Sequence, residues 1–208
     1  MVPLALTDHH IALDLHLFQM LNRNGGPVLD WLALALSQPS FGIGLGLVLA
    51  GVLWWRTRRA RAVVALALAV LLADRIGAAV LRPAFARMRP CYALAHDQVR
   101  WLGAAANKGS LPSLHASNFF AMALVVALAD CRFAPWCYLA AVAVSLSRVY
   151  LGVHWPTDVA AGALWGSLVA TAAWWMTGPL GRWQEGRGPS DGGERGRASL
   201  AHAACSRE

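Results

Sequence analysis

The chain has 208 residues, 57% of them hydrophobic and only 14% charged, with a mean hydropathy of +0.46. That balance excludes an ordinary soluble domain, in which roughly a quarter of the residues are charged. The net charge of +7 sits in short clusters and a C-terminal tail, which fits membrane topology and an anionic substrate and leaves no nucleic-acid footprint.

Ten tryptophans suit the two membrane–water interfaces, where an amphipathic ring is at home. The cysteines Cys91, Cys131, Cys137 and Cys205 show no CxxC or metal-ligand spacing.

Residues 1–26 form an N-terminal segment. No signal peptide is expected, because no basic n-region precedes an apolar run. Ile11, Leu15, Phe18 and Leu21 recur at helical spacing, with Asp14 and Gln19 between them. The pattern predicts a short amphipathic helix lying on the membrane. His9, His10 and His16 are read as its interfacial polar face, with metal binding as the less favoured alternative. Asn24-Gly25-Gly26-Pro27 ends it.

Val28 to Trp55 is the first long apolar stretch, with Asp30 at one end and Gln38-Pro39-Ser40 inside. It is read as one spanning helix kinked at the proline, with a broken or re-entrant start as the alternative. Arg56, Arg58, Arg59 and Arg61 follow and place that loop in the cytoplasm by the positive-inside rule. Residues 62–81 run back outward, interrupted by Asp74 and Arg75, charges that should face the bundle interior or each other. Arg82, Arg87 and Arg89 then lie on the outer side. Topology does not explain them there, so anion binding is the better account.

Residues 91–110 form a polar outer loop. Pro112 and Ser113 precede an apolar run to about Ala129 and mark a helix start. Free backbone N–H groups at such a start attract an anion, Ser113 adds a hydroxyl, and His115 falls in the first turn. A further span over 134–146 leads outward to Ser147–Asp158, which reads SRVYLGVHWPTD. Proline is favoured at the first helical position and an acid in the first turn, so a helix should start at Pro156 with Asp158 in its first turn. His154 then lies just outside it, where Asp158 can fix its tautomer and raise the basicity of the other nitrogen. Arg148 supplies a permanent, planar cation matched to phosphate oxygens. Residues 156–176 form the fifth span, whose glycines and alanines suit close helix packing. From residue 178 the sequence predicts a disordered cytoplasmic tail.

The predicted fold is an all-α polytopic membrane helix bundle of about five spans plus an N-terminal interfacial helix. Its membrane domain covers residues 27–177, between the segment 1–26 and the tail 178–208. Three polar clusters fall on one membrane face, and they resemble the three signature motifs of the type 2 phosphatidic acid phosphatase (PAP2) superfamily. The third, SRxxxxxHxxxD, matches at Ser147, Arg148, His154 and Asp158. The second, PSGH, matches Pro112–His115 with Leu114 in place of glycine, and the first, KxxxxxxRP, matches Arg82 with Arg89-Pro90, arginine replacing lysine. Arg87 fits an RxRP form of that motif. Arg75 with Arg82-Pro83 has the same spacing, but Arg75 would lie about 10 Å deeper in the membrane.

The resemblance implies a lipid phosphate or diphosphate phosphatase of the cell membrane, acting at its outer face without metal or cofactor. It is similar to bacterial undecaprenyl diphosphate phosphatases. By the same resemblance His154 attacks phosphorus, Asp158 orients it and His115 protonates the leaving oxygen. Arg82, Arg89, Ser113, Arg148 and the Leu114 amide would hold the phosphate. Phosphatidate, phosphatidylglycerol phosphate, lipid A phosphates and undecaprenyl diphosphate all remain candidate substrates. A lipid phosphotransferase, or a non-catalytic membrane scaffold or lipid transporter, is the alternative. The implied partners are the membrane and its lipid phosphates; no nucleic acid or particular protein is implied.

Overall fold

The structure, a computed structural model, describes residues 8–105 and 107–178, with side chains from residue 12 onward. The side chains of His9 and His10 and the predicted tail from residue 179 lie outside the described residues. The nine α-helices described are α1 (Asp8–Leu21), α2 (Gly26–Leu36), α3 (Pro39–Thr57), α4 (Ala60–Ile76), α5 (Arg82–Phe85), α6 (Pro90–Ala93), α7 (Leu114–Ala129), α8 (Ala134–Tyr150) and α9 (Pro156–Met176). A π-helical stretch, Gly77–Leu81, joins α4 to α5, and a 3-10 turn precedes α8.

The apolar stretch 28–55 is two helices, which corrects the expectation of one kinked span. Pro39 opens α3, and Gln38 before it is extended at φ −70, ψ 134, as a residue preceding proline tends to be. The 11 residues of α2 reach only about 16 Å, half a bilayer core, whereas the 19 of α3 reach about 28 Å. By length and composition, Pro39–Thr57, Ala60–Phe85 and Pro156–Met176 can each cross a membrane; α7 is a shorter apolar helix.

Beyond its polar start, helix α7 is apolar all round and forms the centre of the bundle. Ala116, Phe119, Ala121, Met122, Ala123, Val125 and Val126 are all buried, packed against α3, α4, α8 and α9. The approach of α9 is close because it presents glycine there. A Cβ on Gly166 would lie 2.0 Å from Ser117 O, and one on Gly162 would lie 2.5 Å from Ser113 O. Exposed leucines and valines such as Val48, Leu139, Val142, Leu164 and Leu168 cover the outside of the bundle. Trp31, Trp54, Trp55, Trp101, Trp136 and Trp175 are exposed as well. Such a surface is expected of a protein solvated by lipid.

The two ends of the bundle differ. At one end Arg56 pairs with Asp130 at 3.2 Å, and the Arg61 guanidinium lies 4.1 Å from the Trp174 ring. At the other end the chain crosses between helices through its polar segments. The π stretch takes in more residues per turn than an α-helix, so it resets the face presented by everything after it, Arg82 included.

Candidate active site

The loop between α8 and α9 carries the densest chemistry. It turns at Gly152, whose φ of +80 and whose neighbour Arg100 O, 2.6 Å from a built Cβ, both require glycine. Helix α9 starts at Pro156 as expected, with Asp158 in its first turn. Asp158 Oδ2 accepts from the Trp155 backbone N–H at 2.9 Å, fixing the helix start, and lies 3.4 Å from His154 Nδ1.

The other imidazole nitrogen, Nε2, lies 3.0 Å from Arg89 Nη1. A guanidinium can only donate, so Nε2 is an acceptor and Nδ1 carries the proton toward Asp158. That is the tautomer with its free lone pair on Nε2. His154 is 1% exposed. Burial first, then the positive charges of Arg89, Arg148 and Arg82, push its pKa well below the ordinary histidine range. The ring is therefore neutral at neutral pH, as a nucleophile must be.

Three elements bring the cations to this ring. Arg89 is buried and held on both edges, by Asn107 O at 2.7 Å, Asn107 Oδ1 at 3.1 Å and Val153 O at 3.0 Å. Arg82, at the start of α5, donates to Pro112 O at 3.3 Å. Arg148 is buried in the last turn of α8, and its Nε has no partner. None of these three arginines makes an ion pair with a described carboxylate. Two buried cations and a half-buried third, clustered without counterions among the described residues, are costly, so the arrangement suits a polyanionic ligand.

The start of α7 closes the site. Ser113 is its N-cap residue, yet its hydroxyl makes no cap bond and is buried without a partner. The Ser113 amide is spent on Asp158 O at 3.0 Å. The Leu114 and His115 amides begin the helix, before any intrahelical acceptor exists. His115 Nε2 lies 3.1 Å from Ser37 O, in the break between α2 and α3. That carbonyl only accepts, so Nε2 bears a proton and Nδ1 is the basic nitrogen of the neutral ring. Ser37 is itself fixed by Ser147, Oγ to Oγ at 3.1 Å, while Ser147 donates to Val144 O at 2.7 Å.

Arg82, Arg89, Leu114, His115, Arg148 and His154 all line one cavity of about 1020 Å³. Ser113 and Asp158 lie directly behind it, fully buried. The rest of its wall is apolar, from Ile43, Leu47 and Ala50 on α3 to Val63, Leu66 and Val70 on α4. Arg75, Asp74 and Asn118 also reach it, with Asn118 Nδ2 donating to Asp74 Oδ1 at 3.1 Å. Among the described residues no group of three or more His, Cys, Asp or Glu could hold a metal ion.

Sequence reasoning grouped Arg87 with the anion-binding arginines, but it is spent on carboxylates behind the His154–Asp158 pair. Its Nη1 donates to Asp158 Oδ1 at 2.8 Å and to Thr157 Oγ1 at 2.6 Å. Its place in the RxRP pattern was a signal, but not of which partner it takes. Ser37 and Asn107 were missed as well. The proline after Gln38 marked the break at Ser37, whereas Asn107 carried no local signal.

The chain is 28% identical over 172 residues to the lipid A 4'-phosphatase of Porphyromonas gingivalis, covering 78% of this chain and 72% of that protein. It is 30% identical over 172 residues to the undecaprenyl-diphosphatase of Sulfolobus acidocaldarius, covering 78% of each. A shorter match, 42% over 72 residues, spans 34% of this chain and only 35% of the bacitracin transport permease protein BcrC of Bacillus licheniformis. The crystal structure of Aquifex aeolicus LpxE superposes with a TM-score of 0.65 at 26% identity, covering 83% of this chain and 98% of that one. Residues 60–182, more than half of the chain and all of the site from Arg82 to Asp158, match the PAP2 superfamily, and the chain belongs to it.

Proposed function

We propose that the protein hydrolyses a lipid phosphate or diphosphate through a phosphohistidine on His154, without a metal, at the outer face of the cell membrane. One observation carries the reading. Around Nε2 of His154 stand three arginines without acid partners among the described residues, and two buried polar atoms, Ser113 Oγ and Arg148 Nε, lack any hydrogen-bond partner there. A phosphoryl group supplies acceptors for all of them.

The chemistry follows from the positions. The phosphate displaces Arg89 from Nε2, and Arg82, Arg89 and Arg148 take its oxygens. The charge of the bound phosphate draws a proton onto His115 Nδ1. Nε2 of His154 attacks phosphorus while the bond to the leaving oxygen breaks, and His115 gives that oxygen its Nδ1 proton. The imidazole becomes cationic as it attacks, and Asp158 stabilises that charge through Nδ1–H. Neutral His115 then takes a proton from water, which attacks the phosphohistidine and releases phosphate. Phosphoryl transfer demands mostly positioning and charge stabilisation, which fixed guanidinium groups supply. The apolar wall from α3 and α4 suits the chains of a lipid whose headgroup enters sideways. Phosphatidate, phosphatidylglycerol phosphate and undecaprenyl diphosphate fit this description, the last supported by the name of the Sulfolobus relative.

The test is phosphate release from these three lipids, in detergent with excess chelator. Release from at least one, blocked by vanadate and absent in His154→Ala, is the expected result. Activity that vanishes with chelator and returns with a divalent ion would refute the metal-free route.

A further inference from the structure

We infer that Asp14, on the N-terminal helix α1, is a positioning residue for His154, acting through Arg87 and Asp158. The inference rests on the phosphohistidine reading above. Asp14 lies outside residues 60–182, the part matched by the superfamily.

A lone carboxylate at a membrane border belongs in water, yet Asp14 is 1% exposed. Burial of that charge is tolerable only with full pairing, and its partners are all at the catalytic segment. Oδ1 accepts from the Thr157 N–H at 3.0 Å. Oδ2 accepts from Thr157 Oγ1 at 2.7 Å and from Arg87 Nη2 in a short ion pair. Arg87 therefore bridges two carboxylates, Asp14 and Asp158. The hydroxyl of Thr157 ties the same corner, donating to Asp14 while accepting from Arg87 Nη1.

One turn along α1, Phe18 is fully buried with its ring 5.3 Å from Trp155. Arg87 lies against Trp155 too, at 5.4 Å. The inward face of α1 thus grips Trp155 and Thr157, two of the three residues between His154 and Asp158. The charge balance matters as much as the grip. One guanidinium between two carboxylates leaves a net negative charge, and Asp158 keeps its share facing Nδ1. Without Asp14, Arg87 belongs to Asp158 alone, and the imidazolium forming during attack loses stabilisation and alignment. A small misplacement of a reacting group costs up to about 100-fold.

The experiment uses the full-length protein in detergent, with phosphatidate and nitrophenyl phosphate as substrates and inorganic phosphate as inhibitor. Asp14→Asn should lower kcat by about 10–100-fold with both substrates, because attack by His154 is common to both. Inhibition by phosphate should stay within about threefold of wild type, because Arg82, Arg89 and Arg148 are untouched. The double variant Asp14→Asn/Arg87→Gln should be no slower than Arg87→Gln alone, since residues acting in one chain are non-additive. Additive losses, an equal fall in phosphate inhibition, or a kcat within about twofold of wild type would each overturn the inference. Should Asp14→Asn not fold, Thr157→Val removes the shared hydroxyl and keeps the backbone bond. It should show the same pattern at about 3–10-fold, and wild-type kcat there overturns the inference equally. Wild-type enzyme that releases no phosphate, by contrast, counts against the phosphatase reading itself.

Discussion

Ser113 and His115 sit two residues apart at one helix start and predict different outcomes. The Ser113 hydroxyl is buried and has no hydrogen-bond partner among the described residues. An unsatisfied buried polar group costs about 1–3 kcal/mol. Ser113→Ala should therefore leave the melting temperature unchanged or raise it, while weakening inhibition by phosphate. A fall in both would mean that the hydroxyl is structural. His115→Ala should act through the leaving group. An alkoxide departing from phosphorus needs a proton, whereas a nitrophenolate leaves without one. Loss of a general acid costs about 10²–10⁴-fold, so turnover of phosphatidate should fall by that order and turnover of nitrophenyl phosphate by far less. Equal losses with both substrates would remove the acid assignment.

At the scale of the helices, the site depends on how near α9 comes to α7. Gly162 and Gly166 put the α9 backbone against the carbonyls of Ser113 and Ser117, and the Ser113 amide bonds Asp158 O across the same contact. Gly166→Ala places a methyl carbon 2.0 Å from Ser117 O. The neighbour there is backbone, which cannot swing aside, so the helices must separate. Overpacking of this kind costs about 1–3 kcal/mol. The variant should melt earlier, and phosphate should bind it more weakly because the α7 start and Asp158 shift together. Wild-type melting would show that the helices have room to spare. The break between α2 and α3 matters in the same way, since it turns Ser37 O toward His115.

Across the whole molecule the two ends have opposite roles. Arg56, Arg58, Arg59 and Arg61 stand at the end away from His154, where short loops rich in arginine stay in the cytoplasm. The residues from Arg82 to Gly109 and the His154 loop share the other end, which should face outside. Exposed Asp97 and exposed Arg58 report the two sides. In a cysteine-free background, Asp97→Cys in intact cells should react with an impermeant thiol reagent, and Arg58→Cys only after lysis. The reverse pattern would invert the orientation.

The sequence by itself determined the helical class, the ends of most spans, and the spacing of His154 with Asp158 and of Ser113 with His115. These rest on local rules: proline at a helix start, an acid in the first turn, apolar runs of bilayer length. Even the close helix contact was legible, because only small residues permit it. Only the tertiary structure decided how the arginines divide. Arg87 and Arg89 are two residues apart, yet Arg89 meets the imidazole and Arg87 meets Asp158 and Asp14, the latter 73 positions away. Local periodicity carries no information about a partner brought in by a separate helix. For the same reason Asp14 read as the wet face of an interfacial helix until its burial beside Thr157 was seen. Ser37 read as part of one long span, because a proline in an apolar run can either kink a helix or end it. Packing against α8, through Ser147, holds the broken form in place.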